Sequence, residues 1–330
     1  MALLPEWAPV DVIVLAWPYE AGDWGAHLER ANECYWSLLC ALTQASKVCV
    51  LLHPSLNKYD MQQNTAGLNL PSERVSWLSY DYDDTWVRDY GPLSTQTGLV
   101  SLTFNGWGQK YPAGKDNQLF HCLSQAWITS IRKHDFVGEG GAFETNGKVL
   151  LMNAGCVIDH NRNPGLDCVD VEKKLQDIFP ELEPIWLSAV ALTGDDTDGH
   201  IDTIVRFANE STLVYSGRNP THIDAQTLDH LHNQVQALAN QHAWQTIELP
   251  TPEVSSPLDG RILPATYANF LIANQYVFVP IYDVDQDKQA LELLSKAFSN
   301  RKIIAVRCEA LLEQHGSLHC ATIQIARQKR

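Results

Sequence analysis

The sequence predicts an α/β fold, read as a single domain over residues 1–330 and built from a recurring strand–strand–helix–strand unit. Three observations predict it. Short β-rich runs alternate with helical stretches from end to end. No low-complexity segment or break in composition marks a linker, and the Pro- and Ser-rich stretch 250–264 is short enough to be a surface loop. With 45% hydrophobic and 19% charged residues over 330 positions, the chain has an ordinary globular balance and the length for a large core. The units share no obvious identity, so the repeat is one of structure alone.

The elements follow in order. Val10–Ala16 is an apolar strand, and residues 26–45 show helical spacing through Leu28, Ala31, Leu38 and Leu42. Lys47–Leu52 returns as a strand of mostly branched residues. A turn-rich stretch runs to Pro71, followed by strands at Val75–Ser79 and 99–104. Asp116 suits the N-cap of a helix reaching about Arg132. Segments 143–145 and 148–152 flank Asn146-Gly147, a dipeptide that favours a tight hairpin. Helices are expected at 169–179, 225–243 and 286–298. Strands are expected at 201–207, Thr212–Ser216, 276–280, 303–307 and Thr322–Ala326, and the basic end 327–330 reads as a solvated tail.

The 24 Lys and Arg stand against 39 Asp and Glu, a formal charge of −15. Such a surface disfavours nucleic acid and anionic membranes and draws small cations. No apolar run approaches bilayer-spanning length and the N-terminus lacks a basic leader, so a cytoplasmic location is expected. The eight cysteines include no C-x-x-C pair and read as free thiols, mostly buried, with no structural zinc site. His222, His230, His232 and His242 lie around one helical segment and read as exposed helix residues rather than metal ligands.

Chemistry concentrates elsewhere. Cys320 sits at a loop-to-strand junction after His315-Gly316-Ser317-Leu318-His319, where a thiol is accessible. Only its thiolate would attack. Asp198, His200 and Asp202 fall at i, i+2 and i+4. At the entry of a strand all three would share one face, an arrangement suited to a cation, a metal or proton transfer. Asp89 follows Arg88 in an aromatic segment ending in Gly91-Pro92. Arg88 reads as the partner of a structural ion pair, whereas Asp89 could receive a guanidinium in fork geometry, with Trp86 covering the cation or its alkyl stem. Glu139-Gly140-Gly141 could direct a carboxylate onto an imidazole. Carboxylates around a thiolate make sense only for a cationic substrate, which points to attack on a guanidinium carbon.

An ordered set of motifs resembles the agmatine deiminases, a group that also includes bacterial-type peptidylarginine deiminases. It comprises W-x-R-D-x-G-P at Trp86–Pro92, E-G-G at Glu139–Gly141 and Asn161-Arg162-Asn163-Pro164. It continues with D-x-D-G-H-x-D at Asp196–Asp202, the segment Leu263–Phe270 and H-C-x-T-x-Q at His319–Gln324. The resemblance implies the five-bladed α/β propeller (pentein) of guanidine-modifying enzymes, with ββαβ units around a central channel. It implies Cys320 as nucleophile, His200 as general acid and then base, and Glu139 as the group orienting His200. Asp89 and Asp202 would hold the guanidinium, Trp86 would pack on the stem, and Asp196 and Asn269 would complete the substrate site. The expected reaction is deimination of a small cationic guanidine, foremost agmatine, with no cofactor or metal, no nucleic-acid or membrane partner and a possible homo-oligomer. Alternatives are arginine or peptidyl arginine as substrate, amidinotransfer, a metal-dependent hydrolase using Asp198, His200 and Asp202, and a polyamine-binding protein without catalysis. The chain departs from the family pattern in carrying one glycine, Gly316, before Cys320, in Ala142-Phe143-Glu144-Thr145 after Glu139, and around residues 10–14.

Overall fold

The computed structural model describes residues 2–68, 70–127 and 130–327. Five of the six sheets among the described residues share one ladder pattern. In each, an antiparallel pair is followed by a helix that crosses back to a parallel third strand. Leu93–Thr95 pairs antiparallel with Gly98–Thr103, and Ile131–Val137 joins parallel after the helix Leu119–Trp127. Glu144–Thr145, Val149–Asn153 and Glu183–Leu187 repeat the pattern around the helix Cys168–Ile178. Val205–Asn209, Thr212–Ser216 and Gln245–Leu249 repeat it around Ala225–His242. Leu271–Ala273, Tyr276–Ile281 and Lys302–Arg307 repeat it around Gln286–Ala297.

The fifth sheet joins the two ends of the chain. Val10–Ala16 pairs antiparallel with Thr322–Ala326, then parallel with Lys47–Leu52 across the helix Leu28–Leu42, and Val75–Ser79 adds a fourth strand. The inner strands Lys47–Leu52, Val149–Asn153 and Thr212–Ser216 are mostly apolar because both their faces are buried, whereas the outer parallel strands such as Ile131–Val137 carry polar, partly exposed residues. Val48, Val50 and Leu51 are fully buried, as are Leu38 and Leu39 on the covering helix, each contributing about 1.5–3 kcal/mol of burial. This is the five-bladed α/β propeller that the family resemblance implies.

Three expectations about elements need correction. The helix after Asp116, described over Leu119–Trp127, does not reach Arg132, because Ile131–Val137 is a strand; residues 128–129 and the tail residues 328–330 lie outside the described residues. The turn-rich stretch before Pro71 contains a helix, Lys58–Gly67, capped by the Asn57 side chain, which accepts from the Tyr59 amide. The stretch 250–264 carries a short hairpin, Val254–Ser255 with Ile262–Leu263. The histidines have separate partners: His230 meets Ser188, His232 meets Tyr215, and His242 stacks on Trp244. His222 is buried ahead of the helix rather than exposed on it.

The propeller positions the site through a common feature of its blades. Asp89, Glu139, His200, Asp202, Asn269 and Cys320 each lie two to five residues before the first strand of a sheet. Segments far apart in sequence are thereby delivered to one end of five strands.

Candidate active site

Cys320 is buried, 6% exposed, immediately before Thr322–Ala326. Asn269, fully buried before Leu271–Ala273, anchors it. The Asn269 amide nitrogen is 3.3 Å from Cys320 Sγ, and its side-chain oxygen accepts from the backbone amides of His319 and Cys320 at 2.9 and 3.4 Å. The same amide nitrogen lies 3.5 Å from the backbone carbonyl of Asp202. Asn269 therefore couples the thiol to the segment bearing Asp202.

Asp202 sits in a 3₁₀ turn, Ile201–Thr203, preceded by His200. The strand expected from 201 to 207 begins only at Val205, because Asp198 and Gly199 both take positive φ, 64° and 89°, and turn the chain. Asp198, His200 and Asp202 consequently do not share a face. Asp198 turns outward to Arg162 at 2.8 Å and Lys110 at 2.9 Å, whereas His200 and Asp202 are 1% exposed. Asp195 holds the turn by accepting the Gly199 amide at 2.6 Å, and Thr197 Oγ1 accepts the His200 amide at 3.0 Å. The metal-ligand alternative loses its geometry, and among the described residues no group of three or more His, Cys, Asp or Glu converges as metal ligands.

Three carboxylates surround the His200 ring. Asp89 Oδ1 is 3.5 Å from Nδ1, and Glu139 Oε2 is 3.6 Å from Nε2, an ion-pair rather than a hydrogen-bond distance. Asp202 is the third: a Cβ built on Gly141 would fall 2.6 Å from His200 Nδ1, 2.9 Å from Asp89 Oδ1 and 3.0 Å from Asp202 Oδ2. Only glycine lets these three groups meet. The Gly141 amide also donates to Asp89 Oδ1 at 3.0 Å, while Trp107 Nε1 donates to Oδ2 at 3.0 Å. Burial disfavours the imidazolium, but Asp89, Glu139 and Asp202 outweigh it and raise the His200 pKa from 6.5 to about 9.

The thiol responds in the opposite direction. Burial first, then the charges of Asp202 and Asp89, push Cys320 well above its ordinary range. The protein alone thus holds a neutral thiol beside a protonated imidazole. Two buried atoms here have no hydrogen-bond partner, Asp202 Oδ1 and His200 Nε2. Such unpaired groups are costly and suit a site that waits for a ligand.

A cavity opens over Cys320 and Asp89, lined also by Asp84, Trp86, Trp107, Tyr111, Asp196 and His315. Asp196 is held by the Tyr111 hydroxyl and lies 3.4 Å from Lys110 Nζ. The ring of Trp86 lies flat on Gly316, where a Cβ would come within 2.6 Å of its carbons. One glycine before Cys320 is therefore the one the packing requires.

All eight sequence-predicted site residues belong to this assembly: Cys320, His200, Glu139, Asp89, Asp202, Asn269, Trp86 and, at the rim, Asp196. Arg88 does not pair with Asp89 as expected; its guanidinium donates to the Gln324 side chain and, at 3.4 Å, to the His319 carbonyl. Sequence reading missed Trp107, Tyr111, Arg162, His319 and Glu6. Arg162 joins Glu139 Oε1 at 2.8 Å to Asp198 and the Thr197 carbonyl, fixing the loop that carries His200. Its signal was the Asn161–Pro164 motif, which had no role attached. Trp107 lies in an Asn-Gly-Trp-Gly turn with φ of 53°, and nothing in its local pattern marks a site.

Fold and site together define the class: a five-bladed α/β propeller enzyme directed at guanidines, with thiol, imidazole and carboxylates buried at its centre. The chain belongs to the Porphyromonas-type peptidyl-arginine deiminase family, whose model matches residues 2–326, and guanidine deimination is the reaction at the level of that family. A Vibrio parahaemolyticus protein that carries the agmatine deiminase name is 30% identical, covering 97% of this chain and 95% of its own. A C. jejuni agmatine deiminase variant with substrate bound superposes with a TM-score of 0.91 at 29% identity, covering 100% of this chain and 97% of that one. The C. jejuni enzyme in a second structure gives 0.88 at 29% identity, over 99% and 97%. The agmatine deiminase resemblance read from the motifs is borne out. Among the described residues no helix is long and apolar enough to cross a membrane.

Proposed function

We propose that this protein hydrolyses agmatine to N-carbamoylputrescine and ammonia through an amidino-cysteine intermediate. The supporting observation is the cavity over Cys320. It is lined by Asp84, Asp89 and Asp196 with Trp86, Trp107, Tyr111, Gln314 and His315, and among the described residues no arginine or lysine lines it. A guanidinium and a distal ammonium suit such a wall, whereas the α-carboxylate of free arginine would meet three carboxylates there with no guanidinium or ammonium in the lining to pair with it. The agmatine deiminase names among the relatives agree with that reading.

Asp89 and Asp202 align the cation with its carbon near Cys320 Sγ. The arriving positive charge offsets the carboxylates that hold the thiol neutral, so Sγ loses its proton to solvent as the substrate seats. The thiolate forms the C–S bond. His200, already protonated at neutral pH, gives its proton to the departing nitrogen, and ammonia leaves. The remaining amidino group is planar and cationic, so the same aspartates stabilise it. Neutral His200 then takes a proton from water, whose oxygen attacks the carbon. The C–S bond breaks, releasing the urea product and the thiol. Glu139, tied to Arg162, keeps the imidazole oriented through both halves.

Incubation with agmatine, arginine and a peptidyl arginine, without an added amine, tests the reading by ammonia release. Agmatine should be the preferred substrate and Cys320→Ser should be silent. Near-wild-type turnover by Cys320→Ser would end the covalent mechanism, and preference for arginine would end the assignment of agmatine.

A further inference from the structure

Beside the site, residues 2–8 tie two blades together. The Leu4 amide donates to Ser94 at 2.9 Å in one blade, and Glu6 Oε1 accepts the Ile272 amide at 2.7 Å in another. The other oxygen of Glu6 contacts the fully buried Arg206 and lies 2.8 Å from His319 Nε2. On the far side of the same ring, His319 Nδ1 lies 2.6 Å from Asp202 Oδ2. His319 thus bridges two carboxylates that lie nearly two hundred residues apart in sequence. Each contact sets one ring nitrogen against one carboxylate oxygen.

We propose that Glu6 and His319 are positioning residues for deimination: they clamp Asp202 through Oδ2 and leave its unpartnered Oδ1 for the guanidinium. The clamp follows from hydrogen-bond accounting. Asp202 is 1% exposed, so water cannot fix its rotamer, and among the described residues Oδ2 has His319 as its one side-chain donor while Oδ1 has none. The His319 ring is itself held at both ends, by its backbone amide on Asn269 Oδ1 at 2.9 Å and by Glu6. Arg206 fixes Glu6 in turn, through a guanidinium whose Nε is 2.6 Å from Glu144. Arg88 reaches only the His319 carbonyl and leaves the ring to the two carboxylates. A carboxylate held this firmly needs no reordering when substrate arrives, which strengthens binding rather than the chemical step.

This inference rests on Asp202 as a holder of the guanidinium, and its test separates the two. Full-length Glu6→Gln, His319→Gln and His319→Asn are assayed with agmatine alongside thermal unfolding. Asn keeps a donor near the Nδ1 position facing Asp202, and Gln keeps one near Nε2 facing Glu6. Glu6→Gln and His319→Gln should raise KM about tenfold, equivalent to about 1.4 kcal/mol, with kcat changed far less, and His319→Asn should restore most of KM. In a Cys320→Ser background, agmatine binding measured by calorimetry should weaken by a similar factor in Glu6→Gln and His319→Gln. A KM within twofold of wild type in both Glu6→Gln and His319→Gln, with only melting temperature lowered, would reduce the pair to a structural role. Unchanged agmatine affinity in both folded variants would overturn the clamp. If the wild type releases no ammonia from agmatine, the functional reading fails, and the agmatine affinities of Cys320→Ser with and without Glu6→Gln still decide the clamp.

Discussion

Replacing Glu139 by Gln isolates the charge that tunes His200. The substitution keeps an oxygen for Arg162 Nε, now 2.8 Å away, and removes one of the three carboxylates around the imidazole. The rise of His200 from 6.5 to about 9 corresponds to about 3 kcal/mol in favour of the imidazolium. Glu139 acts on the ring as a nearby charge, its Oε2 3.6 Å from Nε2, beside the larger contribution of Asp89. Its loss should therefore cost at least about 1.4 kcal/mol and bring His200 to about 8 or below. The sign is fixed by the folded state: the stabilised imidazolium is fully present below the unfolded value near 6.5 and is lost as pH passes the raised value. In free enzyme the thiol is neutral and His200 protonated, one proton more than the attacking state needs. So kcat/KM should climb with pH and bend near 9, where His200 gives up that proton. In Glu139→Gln the bend should move to about 8 or below, with the plateau above it about tenfold lower. The assay is ammonia release from agmatine across pH 6–10 on the scale of these pKa values. A bend still near 9 in a variant that melts like the wild type would refute the claim that Glu139 sets the imidazole charge.

Further outcomes follow from the same geometry. Saturating agmatine, or a guanidine that does not turn over, should raise thiolate absorbance at neutral pH, because a bound cation reverses the push of Asp202 and Asp89 on Cys320; equal absorbance with and without ligand would remove substrate-driven ionisation. Gly316→Ala places a Cβ about 2.6 Å from the Trp86 ring and should displace the wall of the substrate cavity. KM should rise about tenfold with a melting loss of about 1–3 kcal/mol from overpacking, and an unchanged KM would show that Trp86 does not line the bound substrate.

The legibility of this protein was uneven for physical reasons. Val10–Ala16, Lys47–Leu52, Val75–Ser79, Thr212–Ser216 and Thr322–Ala326 lie where the sequence pattern put them; in all but Val75–Ser79 most residues on both faces are buried, which favours apolar residues along the strand. The 198–202 segment misled because a period of two presumes extended backbone, and the positive φ at Asp198 and Gly199 breaks it. Glu6 carried no signal at all: an acid in an N-terminal loop is ordinary until Arg206 and His319 are seen around it.

The sequence by itself determined the alternating elements, the anionic balance and the identities of the thiol, imidazole and acids, since residue chemistry and hydrophobic period are local properties. Tertiary structure alone decided that Cys320 shares a cavity with Asp89, that Gly141 clears the space for His200, and that Asp202 leans on His319. Those relations depend on blade order and on ångström-scale approaches between loops, which no neighbouring residue in the chain encodes.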